Sequence, residues 1–125
     1  MDQNLPRIDE PHVILLRLEG SLLRHEDKDI ELLIEELLDK NCRKFIIDFR
    51  KVDFIDSAGI GLIIKIASMI EKRFGTLQLC NPQNNVRNVF NMLGIESRFK
   101  IFDDLGNALL TNGRLMRLEI ITVRY

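Results

Sequence analysis

Apolar and polar positions along the chain alternate between two rhythms. His12-Val13-Ile14-Leu15-Leu16-Arg17-Leu18 is short and nearly all apolar, and it closes at Glu19-Gly20, which predicts a strand ending in a turn. Arg7-Ile8-Asp9 reads as a short partner strand ahead of it, with Glu10-Pro11 as the turn between. From Asp29 to Lys40 the period changes. Ile30, Leu33, Ile34, Leu37 and Leu38 recur at helical spacing, while Glu31, Glu35, Glu36 and Asp39 fall largely on the other side. That pattern is an amphipathic helix resting on a sheet. Its acidic first half complements the positive end of the helix dipole.

Lys44-Phe45-Ile46-Ile47-Asp48-Phe49 is a second strand, apolar enough to be covered on both faces or to lie centrally. Ser57–Phe74 predicts a helix with Ile60, Ile63, Ile64, Ala67 and Ile70 as its stripe and Gly75 as its stop. Thr76–Cys80 alternates in polarity as a third strand does. Gln83–Leu93 is a shorter helix through Val86, Val89, Phe90 and Leu93, stopped by Gly94. Lys100-Ile101-Phe102 reads as a short edge strand, and Asp103-Asp104 starts a last helix through Ala108, Leu109 and Leu110. Strands alternating with helices from Val13 to Leu110 imply an α/β fold with right-handed crossovers.

Three readings stand for the tail. Asn112-Gly113 is a hairpin-turn dipeptide. Leu115–Tyr125 beyond it is an added strand on a sheet edge, an arm pairing with a second subunit in a homodimer, or an extension of the last helix. The β-branched run Ile120-Ile121-Thr122-Val123 favours a strand.

Composition narrows the function classes. The 125 residues suit one domain, and 46% apolar with 30% charged residues suits a folded globule. A net charge of −1 supplies no basic field for nucleic acid. The N-terminus lacks the basic and apolar regions of a signal peptide, and the apolar stretch Ile60–Ile70, interrupted by Lys65, is too short to span a bilayer. The expected compartment is the cytoplasm, without membrane insertion. Cys42 and Cys80 stand in separate segments without C-x-x-C or a nearby His pair, so buried thiols are expected rather than a metal site. His12 and His25 have no second ligand at fixed spacing. No cofactor is implied.

The informative stretch is Val52-Asp53-Phe54-Ile55-Asp56-Ser57-Ala58-Gly59-Ile60-Gly61, between a strand and a helix. Ser57 at the helix entry reads as an N-cap, with Asp56 as a second cap. The same turn offers unpaired N–H groups and partial positive charge to an anion such as a phosphate. Gly59 and Gly61 would let another backbone approach closely. The glycine spacing fits neither the dinucleotide fingerprint nor a P-loop, because no Gly-Lys-Ser/Thr follows. Ile55 occupies the place that a nucleophile elbow gives to glycine, so a serine hydrolase is not indicated. Arg87, Arg98 and Lys100 read as solvated surface charges, and Phe90 and Phe99 as core.

The run from Asp48 through Val52-x-Phe54-Ile55-Asp56-Ser57-Ala58-Gly59-Ile60-Gly61 resembles the signature of STAS domains, the family of bacterial anti-sigma-factor antagonists. Val13–Gly20, Asn81-Pro82 with Val86, Leu93 and Gly94, and Phe99–Phe102 continue the resemblance, which covers about residues 8–110 and leaves 111–125 as an extension. It implies one domain with a mixed sheet and helices packed mainly on one side. It also implies a protein-binding module rather than an enzyme. The partner would be an anti-sigma factor that is also a serine kinase. Ser57 would be the phospho-acceptor, and Asp56, Ser57, Ala58, Gly59 and Gly61 the partner-binding residues. One departure stands out. Gly20-Ser21-Leu22 is followed by Leu23, where antagonists commonly carry Asp. That departure and the extension admit an alternative: a STAS scaffold or transporter-associated subunit whose serine is not modified.

Overall fold

Every expected strand from Val13 onward joins a single sheet. The computed structural model describes residues 12–109 and 117–125. In chain order its elements are β1 (His12–Leu22), α1 (Lys28–Asp39), β2 (Lys44–Ile55), α2 (Ser57–Lys72), β3 (Thr76–Cys80), α3 (Asn84–Met92), a single 3-10 turn (Ile95–Ser97), β4 (Ile101–Phe102), α4 (Leu105–Leu109) and β5 (Arg117–Arg124). The strands lie in the order β4-β3-β2-β1-β5. All four pairings among the described strands are parallel. The expected partner strand at Arg7–Asp9 and the Asn112-Gly113 turn lie outside the described residues.

Handedness explains the layering. From β1 to β4 the chain steps across the sheet in one direction, so right-handed crossovers put α1, α2 and α3 on one face. From β4 to β5 it travels back past three strands. The same handedness then puts α4 on the opposite face. The helix-covered face buries Ile14, Leu16 and Leu18 of β1, Phe45, Ile47 and Phe49 of β2, and Leu77 and Leu79 of β3. Phe49 meets Phe90 of α3 edge to face, with centroids 5.2 Å apart. The other face holds a smaller cluster in which Ala108 of α4 packs with Val13, Leu15, Ile46 and Cys80. Burial on both faces is why β1 and β2 read as continuous apolar runs.

One buried charge sits among these strands. Asp48 is fully buried and accepts from Arg17 Nε at 3.1 Å, Asn81 Nδ2 at 3.1 Å and the Arg50 backbone N–H at 3.0 Å. Arg17 stands opposite Asp48 in the β1–β2 register, so the ion pair marks that register directly. A buried carboxylate needs such partners, because burying a charge without them is costly.

Several boundaries differ from the sequence expectation. β1 does not turn at Glu19-Gly20; it passes through register shifts there and continues to Leu22. β2 likewise runs on past Phe49 to Ile55, so Val52–Ile55 is strand rather than loop. Helix α2 ends at Lys72, and the left-handed residue after its cap is Phe74 (φ 64°), not Gly75. Gly75 serves close packing instead: a Cβ there would lie 2.7 Å from the Arg43 carbonyl oxygen. Ile64 is more than a third exposed, while Leu62 and Ile66 are buried. Gly94 closes α3 in the left-handed conformation, as expected.

Candidate functional site

The C-terminal end of β2 delivers Ile55-Asp56-Ser57 to the mouth of α2. Asp56 has extended dihedrals (φ −125°, ψ −173°), and its carboxylate accepts from the Gly59 N–H at 3.0 Å. Its own carbonyl accepts the first helical bond, from the Ile60 N–H at 3.0 Å. Asp56 is therefore the N-cap. Ser57, expected to be the cap, is instead the first helical residue. The aspartate one residue earlier already satisfies the turn, so the serine hydroxyl is not needed for it. Ser57 is exposed, and among the described residues no hydrogen bond engages its hydroxyl.

The two glycines divide the work. Gly59 is buried, and a Cβ there would lie 2.1 Å from the Leu22 carbonyl oxygen and 2.8 Å from Ile55 Cγ1. The close approach that it permits is therefore between α2 and β1 of this chain. Gly61 is half-buried and open, its nearest neighbour being His25 Cβ at 3.8 Å from an added Cβ. Ala58 is half-buried beside Ser57.

Three segments hold this mouth in place. The β1 end seats its Leu22 carbonyl against Gly59. The loop before α1 is tied to α2 through Lys65, whose Nζ lies 3.3 Å from Glu31 and 4.0 Å from Glu26. The start of α3 is fastened to the end of β2: Gln83 Nε2 donates to the Arg50 carbonyl at 2.9 Å, and Asn85 Nδ2 donates to the Asp53 carbonyl. From this frame two large apolar side chains project into solvent near Ser57. Phe54 is 63% exposed and Leu23 is 54% exposed. Phe54 lies in register with Ser21, and Leu23 directly follows Leu22, the partner of Ile55. In the sequence Phe54 is legible only as part of the motif. Its exposure depends on the shifted β1–β2 register, which local alternation does not carry.

Chemically the site is a presentation surface. A free hydroxyl stands at the positive end of a helix, next to the capping side chain of Asp56 and the exposed Leu23 and Phe54. Among the described residues no cluster of three or more His, Cys, Asp or Glu side chains could hold a metal ion. The thiols are elsewhere and deep. Burial, with the charge of Asp48 beside it, pushes the Cys80 thiol up to about 12. Burial, then Glu119, raises Cys42.

The model of the STAS domain matches residues 5–108. The chain belongs to the STAS domain family. Its relatives include the anti-sigma F factor antagonist of Paenibacillus polymyxa, 26% identical over 98 residues, which cover 78% of this chain and 84% of that protein. Among solved structures, the Bacillus cell fate determinant SpoIIAA in its phosphorylated form superposes with a TM-score of 0.56 at 26% identity, covering 75% of this chain and 86% of that one. A sulfate transporter family protein from Wolinella succinogenes shares the fold with a TM-score of 0.60 at 21% identity, covering 78% of this chain and 81% of that one. The STAS match ends before β5, which is additional to the matched segment.

Proposed function

We propose that this STAS domain is a cytoplasmic anti-sigma-factor antagonist, a binding protein rather than an enzyme. Its docking to an anti-sigma factor with serine kinase activity is switched by phosphorylation of Ser57. The observation that carries the proposal is the position of the Ser57 hydroxyl: exposed, outside the capping hydrogen bonds, and at a helix N-terminus. A phosphate there adds about −1.5 to −2 charge. The helix dipole compensates it by about 0.3–1 kcal/mol, so the fold tolerates the modification. The phosphate would stand beside the capping side chain of Asp56, and a partner packed on Leu23 and Phe54 would have to desolvate the new charge. Asp56, Ala58 and Gly61 belong to the same partner-facing surface, with Gly59 beneath it. The antagonist function of the relatives supports this role.

Incubating the chain with ATP and an extract of the cells that make it, followed by phosphate mapping, tests the switch. Phosphate is expected on Ser57 and absent from Ser57→Ala. Used as bait, Ser57→Ala should capture the same kinase as the native chain, while folded Ser57→Asp should capture at least about tenfold less, a loss of about 1.4 kcal/mol. Equal capture by both variants removes Ser57 as the switch.

A second reading draws on Leu23. An exposed apolar side chain where antagonists commonly carry Asp suits constitutive docking in a scaffold or transporter-associated subunit. In that case capture would return a permease or a multi-subunit assembly, with equal yield from both variants.

A further inference from the structure

Strand β5 is the outermost strand beside β1, and among the described residues nothing pairs with its far side. It spans eight residues without Gly, Pro or Lys, and its register against β1 runs uninterrupted from Arg117 to Arg124. Edge strands that stay single are usually short, bulged, or interrupted by proline or lysine. β5 is neither short nor bulged and lacks proline and lysine; its charges are Arg117, Glu119 and Arg124, and Ile120 between them is 52% exposed. We propose that β5 is a homodimer interface, with a second copy of this chain adding its own β5 antiparallel to form one continuous sheet.

The backbone selects the register. The Tyr125 N–H donates to the Glu19 carbonyl at 2.8 Å. In parallel pairing, alternate residues aim both N–H and C=O at the same neighbour. Arg117, Glu119, Ile121 and Val123 therefore face β1, and Leu118, Ile120, Thr122 and Arg124 present their polar groups outward. A two-fold axis through the Ile121 pair, perpendicular to the sheet, sets Ile120 opposite Thr122 of the second copy and Leu118 opposite its Arg124. Each such pair exchanges two hydrogen bonds, so the outward groups of both strands are all satisfied. Moving the axis one residue either way leaves the groups of Leu118 or Arg124 facing beyond the strand. In this register no two like charges stand opposite. The β-branched pair Ile120–Thr122 forms twice on the face that carries α4, and the Arg124 stem covers Leu118. A surface that satisfies itself under two-fold symmetry is what an isologous dimer requires. β5 lies outside the STAS match, so this contact is specific to the extension.

The test is the solution mass of the full chain by light scattering over a dilution series, with Thr122→Pro and Ile120→Lys beside it. The Thr122 N–H points away from β1, so proline removes an edge donor and leaves the internal pairing intact. Ile120→Lys keeps that donor and adds a charge, and it decides the matter if the proline variant does not fold. The native chain is expected at twice the chain mass at high concentration, falling to one on dilution. Both variants are expected at one chain mass with unchanged circular dichroism. A native chain monomeric throughout overturns the proposal, as does a dimer that persists in both folded variants. A monomer whose Ile120 and Thr122 amides resist hydrogen exchange overturns it too, because another segment of the same chain then covers the edge.

Discussion

Gly59 and Gly61 lie two residues apart on one helix, yet their surroundings demand opposite behaviour. An alanine methyl at Gly59 would fall 2.1 Å from the Leu22 carbonyl oxygen, a backbone atom of β1 that cannot swing away. Gly59→Ala should therefore destabilise the chain by about 1–3 kcal/mol, the usual cost of overpacking. At Gly61 the methyl meets only His25 Cβ at 3.8 Å, ordinary contact distance. There the gain in helix propensity dominates, and Gly61→Ala should stabilise by about 0.5–1 kcal/mol. Urea unfolding of the two variants reads both values as midpoint shifts of opposite sign. Shifts in the same direction would contradict the seating of α2 on β1. The residue scale also explains why Ser57 is available: Asp56 does the capping, and the hydroxyl next to it is left over.

At the scale of elements, the end of α2 carries local strain that the sequence masks. A glycine follows the helix, but the chain puts the left-handed conformation on Phe74, one residue earlier. Gly75 is held for space, because the Arg43 carbonyl and Ile70 Cγ2 each come within 2.7 Å of a Cβ built there. Phe74 is 93% exposed and contributes almost no burial to offset its backbone cost. A left-handed residue with a side chain costs about 1–2 kcal/mol. Phe74→Gly should recover about 1 kcal/mol of it, measured as a rise in the thermal midpoint. A fall would mean that the Phe74 ring makes contacts that outweigh the strain. The same logic separates α3, where a glycine, Gly94, takes the left-handed position (φ 69°) with open space around it.

For the whole molecule, the buried thiols make stability fall at alkaline pH. Cys80 is raised to about 12, first by burial and then by Asp48. Cys42 is raised by burial and then Glu119, and Tyr125 is raised by burial and then Asp27. In the unfolded chain a thiol loses its proton near its ordinary value of 9.0. Between that value and about 12 the folded state binds more protons than the unfolded state, so stability falls as pH rises. Below pH 9 these thiols contribute no slope. Urea midpoints at about pH 8 and about pH 10.5 should decline for the native chain and decline less for Cys80→Ala, whatever the absolute cost of the cavity. Equal slopes would place the Cys80 thiol in contact with solvent.

The alternation of strands and helices, the amphipathic face of α1 and the entry to α2 at Asp56-Ser57 are all legible in the sequence, because side-chain period and capping chemistry are local properties. What neighbours decide is not. Arg50-Lys51 looks like the end of a strand. It is a stretch of shifted register, because β2 continues along Gly20–Leu22, some thirty residues earlier in the chain. Ile64 shares the helical stripe yet is exposed, because the sheet and α1 bury a wider arc displaced toward Leu62 and Ile66. The β-branched tail announces a strand, but its place beside β1 follows from the direction in which the chain recrosses the sheet. The presence of a serine at a helix mouth is thus determined by the sequence itself. The capping by Asp56 that frees its hydroxyl is local as well. Only the tertiary structure decides that Leu23 and Phe54 stand exposed around it, because that outcome depends on pairing between residues far apart along the chain.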